Sequence, residues 1–203
     1  MIELRPATPD EMVLAFLQAE INTPTERGEH YAAALAQIGA ARGPLIDRGD
    51  LTDSRQNDDR RSVLGVVRGY SRSKYLFLDF PNDAAWRLVT VTPTEVKGFK
   101  YAKSAGCHPL LSSTRIVADG LKNLDRVQIK EIKEISDRVA NIAKRLRQGE
   151  RFCPLIAAQC TGIADMVLME GHTRATAYAL TGITDVIELI IGTSSHMRRW
   201  PFF

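Results

Sequence analysis

The sequence predicts an α+β protein: a small mixed sheet carrying packed helices, preceded by a helical N-terminal annex. Three observations predict it. Residues 166–180, MVLMEGHTRATAYAL, join a short apolar run to an alanine-rich run through a polar turn that contains glycine. Residues 129–148 carry one continuous apolar stripe at helical spacing. β-rich runs at 86–92, 154–159 and 185–192 interleave with helical patterns, as expected of a sheet with helices against it. A domain division at 1–74 and 75–203 follows from this order.

The first third reads as helical. Thr8-Pro9-Asp10-Glu11 is a helix start, with Thr8 as N-cap, Pro9 at the first position and acids in the first turn. Met12, Val13, Phe16 and Leu17 then form an apolar face. Thr23-Pro24 opens a second helix, continued by Tyr31, Leu35 and Ile38 towards the glycines at 39 and 43. Pro44-Leu45-Ile46 is a short connection, and residues 53–67 form a third helix.

Residues 75–80 (YLFLDF) and 86–92 (WRLVTVT) are β-rich, the second with alternation. Thr92-Pro93-Thr94-Glu95 repeats the helix-start pattern. Residues 104–109 are a turn, and Ser112 or Ser113 caps a helix through Leu121. Ile132, Ile135, Val139, Ile142, Ala143 and Leu146 share one face of the longest helix, which Gly149 closes. Residues 154–159 and 166–169 read as paired strands, 175–180 as a helix ended by Gly182, and 185–192 as a final strand. The aromatic tail Trp200-Pro201-Phe202-Phe203 packs back on the core or marks a partner surface.

Composition is ordinary for a globular chain, with 44% hydrophobic and 25% charged residues. A net charge of +3 does not require nucleic acid as a partner, although basic residues cluster at 55–72 and 144–151. Three cysteines without CxxC spacing argue against a disulfide scaffold or a zinc site. Cys107-His108 is read as structural. The polar N-terminus carries no secretory pattern and no run is long enough for a membrane span, so a reducing cytoplasm is expected.

The turn at 170–174 is the centre of the functional reading. A strand that stops at a glycine turn and restarts as a helix leaves backbone N–H groups unpaired at the helix start. Together with the helix dipole they suit an anion, most often phosphate. The other reading is a surface turn with a solvated Arg and His.

Residues 129–192 resemble the core of the ParB/sulfiredoxin-like superfamily. The matching pieces are the helix ending at Gly149, Pro154-Leu155-Ile156, the strand at 167–169, Gly171-His172-Thr173-Arg174 with Ala175 and Ala177 behind it, and the strand at 186–191. The resemblance implies a small mixed sheet and a turn that holds nucleotide phosphates. Sulfiredoxins carry a Gly-Cys-His-Arg turn; the absence of cysteine from residues 171–174 disfavours their chemistry. ParB proteins bind CTP at the equivalent turn and continue into a helix-turn-helix domain, which is not expected in the short segment after residue 192. Members of the free-serine-kinase type carry Gly-His-His-Arg and bind adenine nucleotide, and this turn is most similar to theirs. Trp86, Glu95 and residues 112–115 also resemble bacterial proteins with an EGHxR turn and a tryptophan-bearing tail.

The resemblance implies ATP or another nucleoside triphosphate as ligand, with Mg2+, and phosphoryl transfer to a small hydroxyl acceptor. The alternative is a non-catalytic nucleotide-sensing module, or one that contacts DNA through its basic faces. Gly171 would allow close backbone approach, and Arg174 would fork onto phosphate oxygens. His172 is a phosphate donor, a proton carrier or a structural histidine. Thr173 is a helix cap or an anion contact. Glu170 holds magnesium, accepts a proton, or orients Arg174. Glu95 is a catalytic acid or base, or a dipole partner at a helix start. Arg115, one turn into the helix after Ser112, is a second anion contact or a solvated cation.

Overall fold

The computed structural model describes residues 1–21, 26–103, 111–126, 128–183 and 186–203. The expected helix start at Thr23-Pro24, the turn at 104–109 with Cys107 and His108, and Asp185 lie outside the described residues.

The strands are β1 (Ile2–Pro6), β2 (Ala85–Val91), β3 (Lys100–Tyr101), β4 (Leu155–Cys160), β5 (Met166–Glu170) and β6 (Ile187–Ser194). They form one mixed sheet in the order β1-β2-β6-β4-β5-β3. β4 runs parallel to β6 and antiparallel to β5, while β2 runs antiparallel to β6. The central strands are apolar almost throughout because both faces are covered. Ile156, Ala158, Val167, Met169 and Ile190 face one core. Leu155, Ala157, Leu168, Leu189 and Ile191 face the other.

Helices α1 (Pro9–Glu20), α2 (Glu26–Gln37) and α3 (Ser54–Arg68) cover the first face. The second face carries α4 (Pro93–Val96), α5 (Val117–Leu121) and α7 (His172–Thr181). The long helix α6 (Lys130–Arg147) packs outside α7 through the expected stripe, with Ile132, Ile135, Val139, Ala143 and Leu146 buried. Residues 1–74 therefore do more than form a helical annex. They supply the edge strand β1, and their helices share a core with the sheet.

Local signals explain most boundaries. Thr8 and Glu11 form a capping box at α1, and Thr92 and Glu95 repeat it at α4. Asp53 accepts from the backbone N–H groups of Arg55 and Gln56 at the start of α3. Gly149, at φ 82°, closes α6 in a Schellman arrangement: its N–H reaches Leu146 O, and the N–H of Glu150 reaches Arg145 O.

Three expectations are corrected, and the short connection at 44–46 takes a definite shape. Strand β1 was not expected; all five of its residues are exposed, so burial left little pattern to read. Residues 75–80 are not a strand but a 3-10 turn, Tyr75–Phe77, flanked by tight loops. Their backbone is satisfied locally, by Phe77 N–H to Lys74 O and Leu78 N–H to Tyr75 O, while Leu76 and Phe77 are buried. The connection at 44–46 is a π-type turn, Gly43–Asp47, whose Leu45 carbonyl accepts from the buried Arg60. Neither Ser112 nor Ser113 caps a helix: α5 starts at Val117 with Ile116 at its N-cap.

The aromatic tail folds back. Trp200 is buried, its Nε1–H donates to Leu76 O at 2.7 Å, and its ring meets Phe80 edge-on. Among the described residues, no helix is long and apolar enough to cross a membrane.

Candidate functional site

Strand β5 ends at Glu170, and Gly171 turns the chain at φ 95°. Only glycine fits there: a Cβ would stand 2.5 Å from Leu155 Cδ2, and the left-handed conformation disfavours any L side chain. Helix α7 starts at once, three residues before the apolar run that announced it. The first intrahelical bond is Ala175 N–H to Gly171 O at 2.7 Å. The N-cap is glycine, with no side-chain cap. The N–H groups of His172, Thr173 and Arg174 therefore point out of the first turn without intrahelical acceptors. Residues 170–174 are thus gathered at one strand-to-helix junction, as expected.

The side chains differ from the expectation in direction. Arg174 is buried, 7% exposed, and turns inward. Its Nη1 donates to the carbonyl of Cys153 and to Pro154 O at 3.4 Å, and stands 3.1 Å from Cys153 Sγ. Its Nη2 donates to Glu170 Oε1 at 3.3 Å. The fork expected to grip phosphate instead ties α7 to the loop before β4. Burial opposes the charge, yet Cys153 and Glu170 more than offset it and hold the pKa of Arg174 above its ordinary value. Burial pushes the Cys153 thiol up despite the neighbouring guanidinium. The turn itself has no cysteine, but the fold brings one to its arginine.

His172 Nε2–H donates to Leu168 O at 3.1 Å, and its ring lies 6.0 Å from that of Tyr101. The carbonyl can only accept, which sets this tautomer. Thr173 is half-buried, and its hydroxyl carries no hydrogen bond among the described residues. Glu170 supplies the junction's carboxylate. No group of three or more His, Cys, Asp or Glu side chains suited to a metal ion is present among the described residues.

Glu95 and Arg115 are committed elsewhere. Glu95 closes the capping box on Thr92 and pairs with the amino terminus of Met1. That amine first, and the backbone of Thr92 second, hold its carboxyl below the usual range. Arg115 is not inside a helix. It sits at φ 66° before α5 and donates to Tyr101 O at 3.2 Å and Phe202 O at 3.3 Å, fastening the tail.

The basic clusters are also partly occupied. Arg60 is buried among backbone carbonyls, Arg61 pairs with Asp10 and Asp58, and Arg68 with Glu20. Arg145 pairs with Glu150 and stacks on Phe152.

A second constellation escaped the sequence reading. Asp83 accepts from Ser194 Oγ at 2.7 Å and from His196 Nδ1 at 3.0 Å. These contacts, Ser194 first, hold the Asp83 carboxyl below the usual range. Asp83 and His196 line a cleft of about 1310 Å³ between the loop around residues 70–84 and the segment after β6. Asp83 is more than a hundred residues from Ser194 and His196, so no spacing could announce the three together.

No protein-family model, curated protein or solved structure matches the chain. Its class is therefore that of its fold: a mixed six-stranded sheet between two layers of helices, with a glycine-opened helix at the end of β5.

Proposed function

We propose that this chain binds the phosphate groups of a nucleotide such as ATP at the start of α7. The resemblance to the ParB/sulfiredoxin-like superfamily supplies the ligand class. The observation that carries the reading is the uncapped helix start at Gly171, placed where a strand ends. Three backbone N–H groups and the positive end of the helix dipole meet there. The Thr173 hydroxyl adds a donor. Arg174 acts as a positioning residue that fixes the turn from beneath, and a triphosphate would bring its own magnesium ion to the Glu170 side.

Binding is favoured over catalysis because the two carboxylates expected to activate an acceptor are engaged, Glu95 with the amino terminus and Glu170 with Arg174. In the phosphotransferase version, Glu170 takes the proton of the acceptor hydroxyl. The new O–P bond then forms as the β–γ bridging bond breaks and ADP leaves. The DNA-binding version is weakened by the pairing of Arg60, Arg61 and Arg68. A reducing cytoplasm suits the free thiols of Cys153 and Cys160.

Thr173→Asp tests the reading. A carboxylate in the first turn stabilises the helix start but repels phosphate. The variant should melt at or above the wild-type temperature while losing the thermal shift given by ATP or CTP. Absence of any shift in the wild-type protein, or an undiminished shift in the variant, removes the phosphate reading. If ATP binds and no acceptor turns it over, the binding module stands.

A further inference from the structure

The cleft at the other end of the sheet has the construction of a ligand site in its own right. The strand register places Glu170 level with Ile190, and Cys160 level with Ser194. The cleft therefore begins four residues, roughly 13 Å, along the strands from the α7 junction and two strands across the sheet.

Its walls are aromatic. Trp86 lies flat on Gly192, where a Cβ would come within 2.8 Å of the indole. Phe80 stacks on Trp86 with ring centroids 6.0 Å apart and planes at 17°. Phe80 is braced in turn by Phe77 and Trp200. The facing loop is conformationally costly. Four of the five non-glycine residues at positive φ among the described residues are Ser71, Ser73, Tyr75 and Asp79. Such costs persist where surrounding structure enforces them, and they concentrate at ligand sites.

The charges lining the cleft are unevenly committed. Asp83 holds Ser194 and His196, and Asp79 accepts from Ser73 Oγ at 3.3 Å. Arg72 and Arg199 also line it, and neither guanidinium has a carboxylate partner among the described residues. The two carboxylates thus already take local donors, and the two guanidiniums remain as open donors of the cleft. In the neutral imidazole, with Nδ1–H given to Asp83, the Nε2 of His196 is a hydrogen-bond acceptor.

We propose that this cleft binds a small organic anion built on a flat ring. The ring stacks against the Phe80–Trp86 wall, the anionic group meets Arg72 and Arg199, and a ligand hydroxyl or N–H donates to His196. The volume is ample for a nucleotide-sized ligand. A nucleoside monophosphate and an aromatic hydroxy acid share this chemistry.

Trp86 gives a direct readout, since the chain has only two tryptophans and, of these, Trp86 is the one that lines the cleft. The full chain is titrated with adenosine monophosphate, with 4-hydroxybenzoate and with inorganic phosphate under tryptophan-selective excitation. Saturable quenching by at least one ring-bearing anion is expected, with none from phosphate at the same concentration. Which of the two saturates names the source. Loss of one charge-assisted contact should weaken binding about tenfold in Arg72→Ala and in Arg199→Ala, whose side chains are exposed. Thr173→Asp should leave the quenching unchanged, which separates this site from the α7 junction. The proposal is overturned by no saturable quenching, by an equal response to phosphate, by unaltered affinity in both arginine variants, or by loss of binding in Thr173→Asp.

Discussion

The guanidinium of Arg174 stands 3.1 Å from the sulfur of Cys153 and donates to the backbone carbonyl of the same residue. One side chain thereby joins the start of α7 to the chain entering β4. Its charge is buried and is answered by Glu170. Breaking a buried pair by removing one partner costs about 3–5 kcal/mol, because the other is left uncompensated. Arg174→Ala should lose that much unfolding free energy in a urea titration. A loss under about 1 kcal/mol, typical of an exposed ion pair, would show that Arg174 does not hold the junction.

Gly171 and Gly149 allow a controlled comparison, because both have positive φ but only one is crowded. A Cβ at Gly149 meets nothing within 4 Å, whereas at Gly171 it stands 2.5 Å from Leu155 Cδ2. Gly149→Ala should cost about 1–2 kcal/mol for the left-handed backbone alone. Gly171→Ala should cost measurably more by the same denaturation assay. Equal losses would mean that Leu155 yields freely and that glycine is not needed there for space.

Glu11 links α1 to β1 and carries a pH signature. Its hydrogen bond from Arg5 is the main cause of a lowered pKa, and the Thr8 backbone contributes. A carboxylate with a depressed folded-state pKa adds stability that is present above its unfolded value, near about 4.3, and is lost as pH falls through the lower folded value. Glu11→Gln keeps the cap and removes the charge. It should therefore be less stable than wild type at neutral pH, with the gap closing in acid. Unfolding titrations at both pH values check this; a gap that persists or widens in acid contradicts the assignment.

Trp200 fastens the tail by packing and by one hydrogen bond to Leu76 O. Trp200→Phe keeps most of the apolar contact but leaves a buried carbonyl unpaired, at about 1–3 kcal/mol. Trp200→Ala also opens a cavity and should cost about 3–5 kcal/mol. Thermal melting of the pair orders them. Equal melting points would indicate that the indole N–H contributes nothing.

Helix starts and stops were legible because they are local. The capping boxes at Thr8 and Thr92, the Asp53 cap, Gly149 and Gly182 act within a turn of their own positions. The stripe of α6 was legible because one helix face buries continuously. Strand β1 left little trace, although Ile2 and Leu4 alternate with Glu3 and Arg5. The run at 75–80 misled because its aromatic residues serve a core rather than a ladder, and among the described residues no strand pairs with it.

Sequence alone determined the α+β class, the order of β4, β5, α7 and β6, and the gathering of residues 170–174 at one junction. These follow from periodicity and from the backbone limits of glycine and proline, which act over a few residues. Only the tertiary structure decided that Arg174 turns inward to Cys153, that Glu95 and Arg115 serve the termini, and that Asp83 meets Ser194 and His196. The direction of a long charged side chain depends on which carbonyls and carboxylates the rest of the chain brings within hydrogen-bond reach, and no local pattern carries that information.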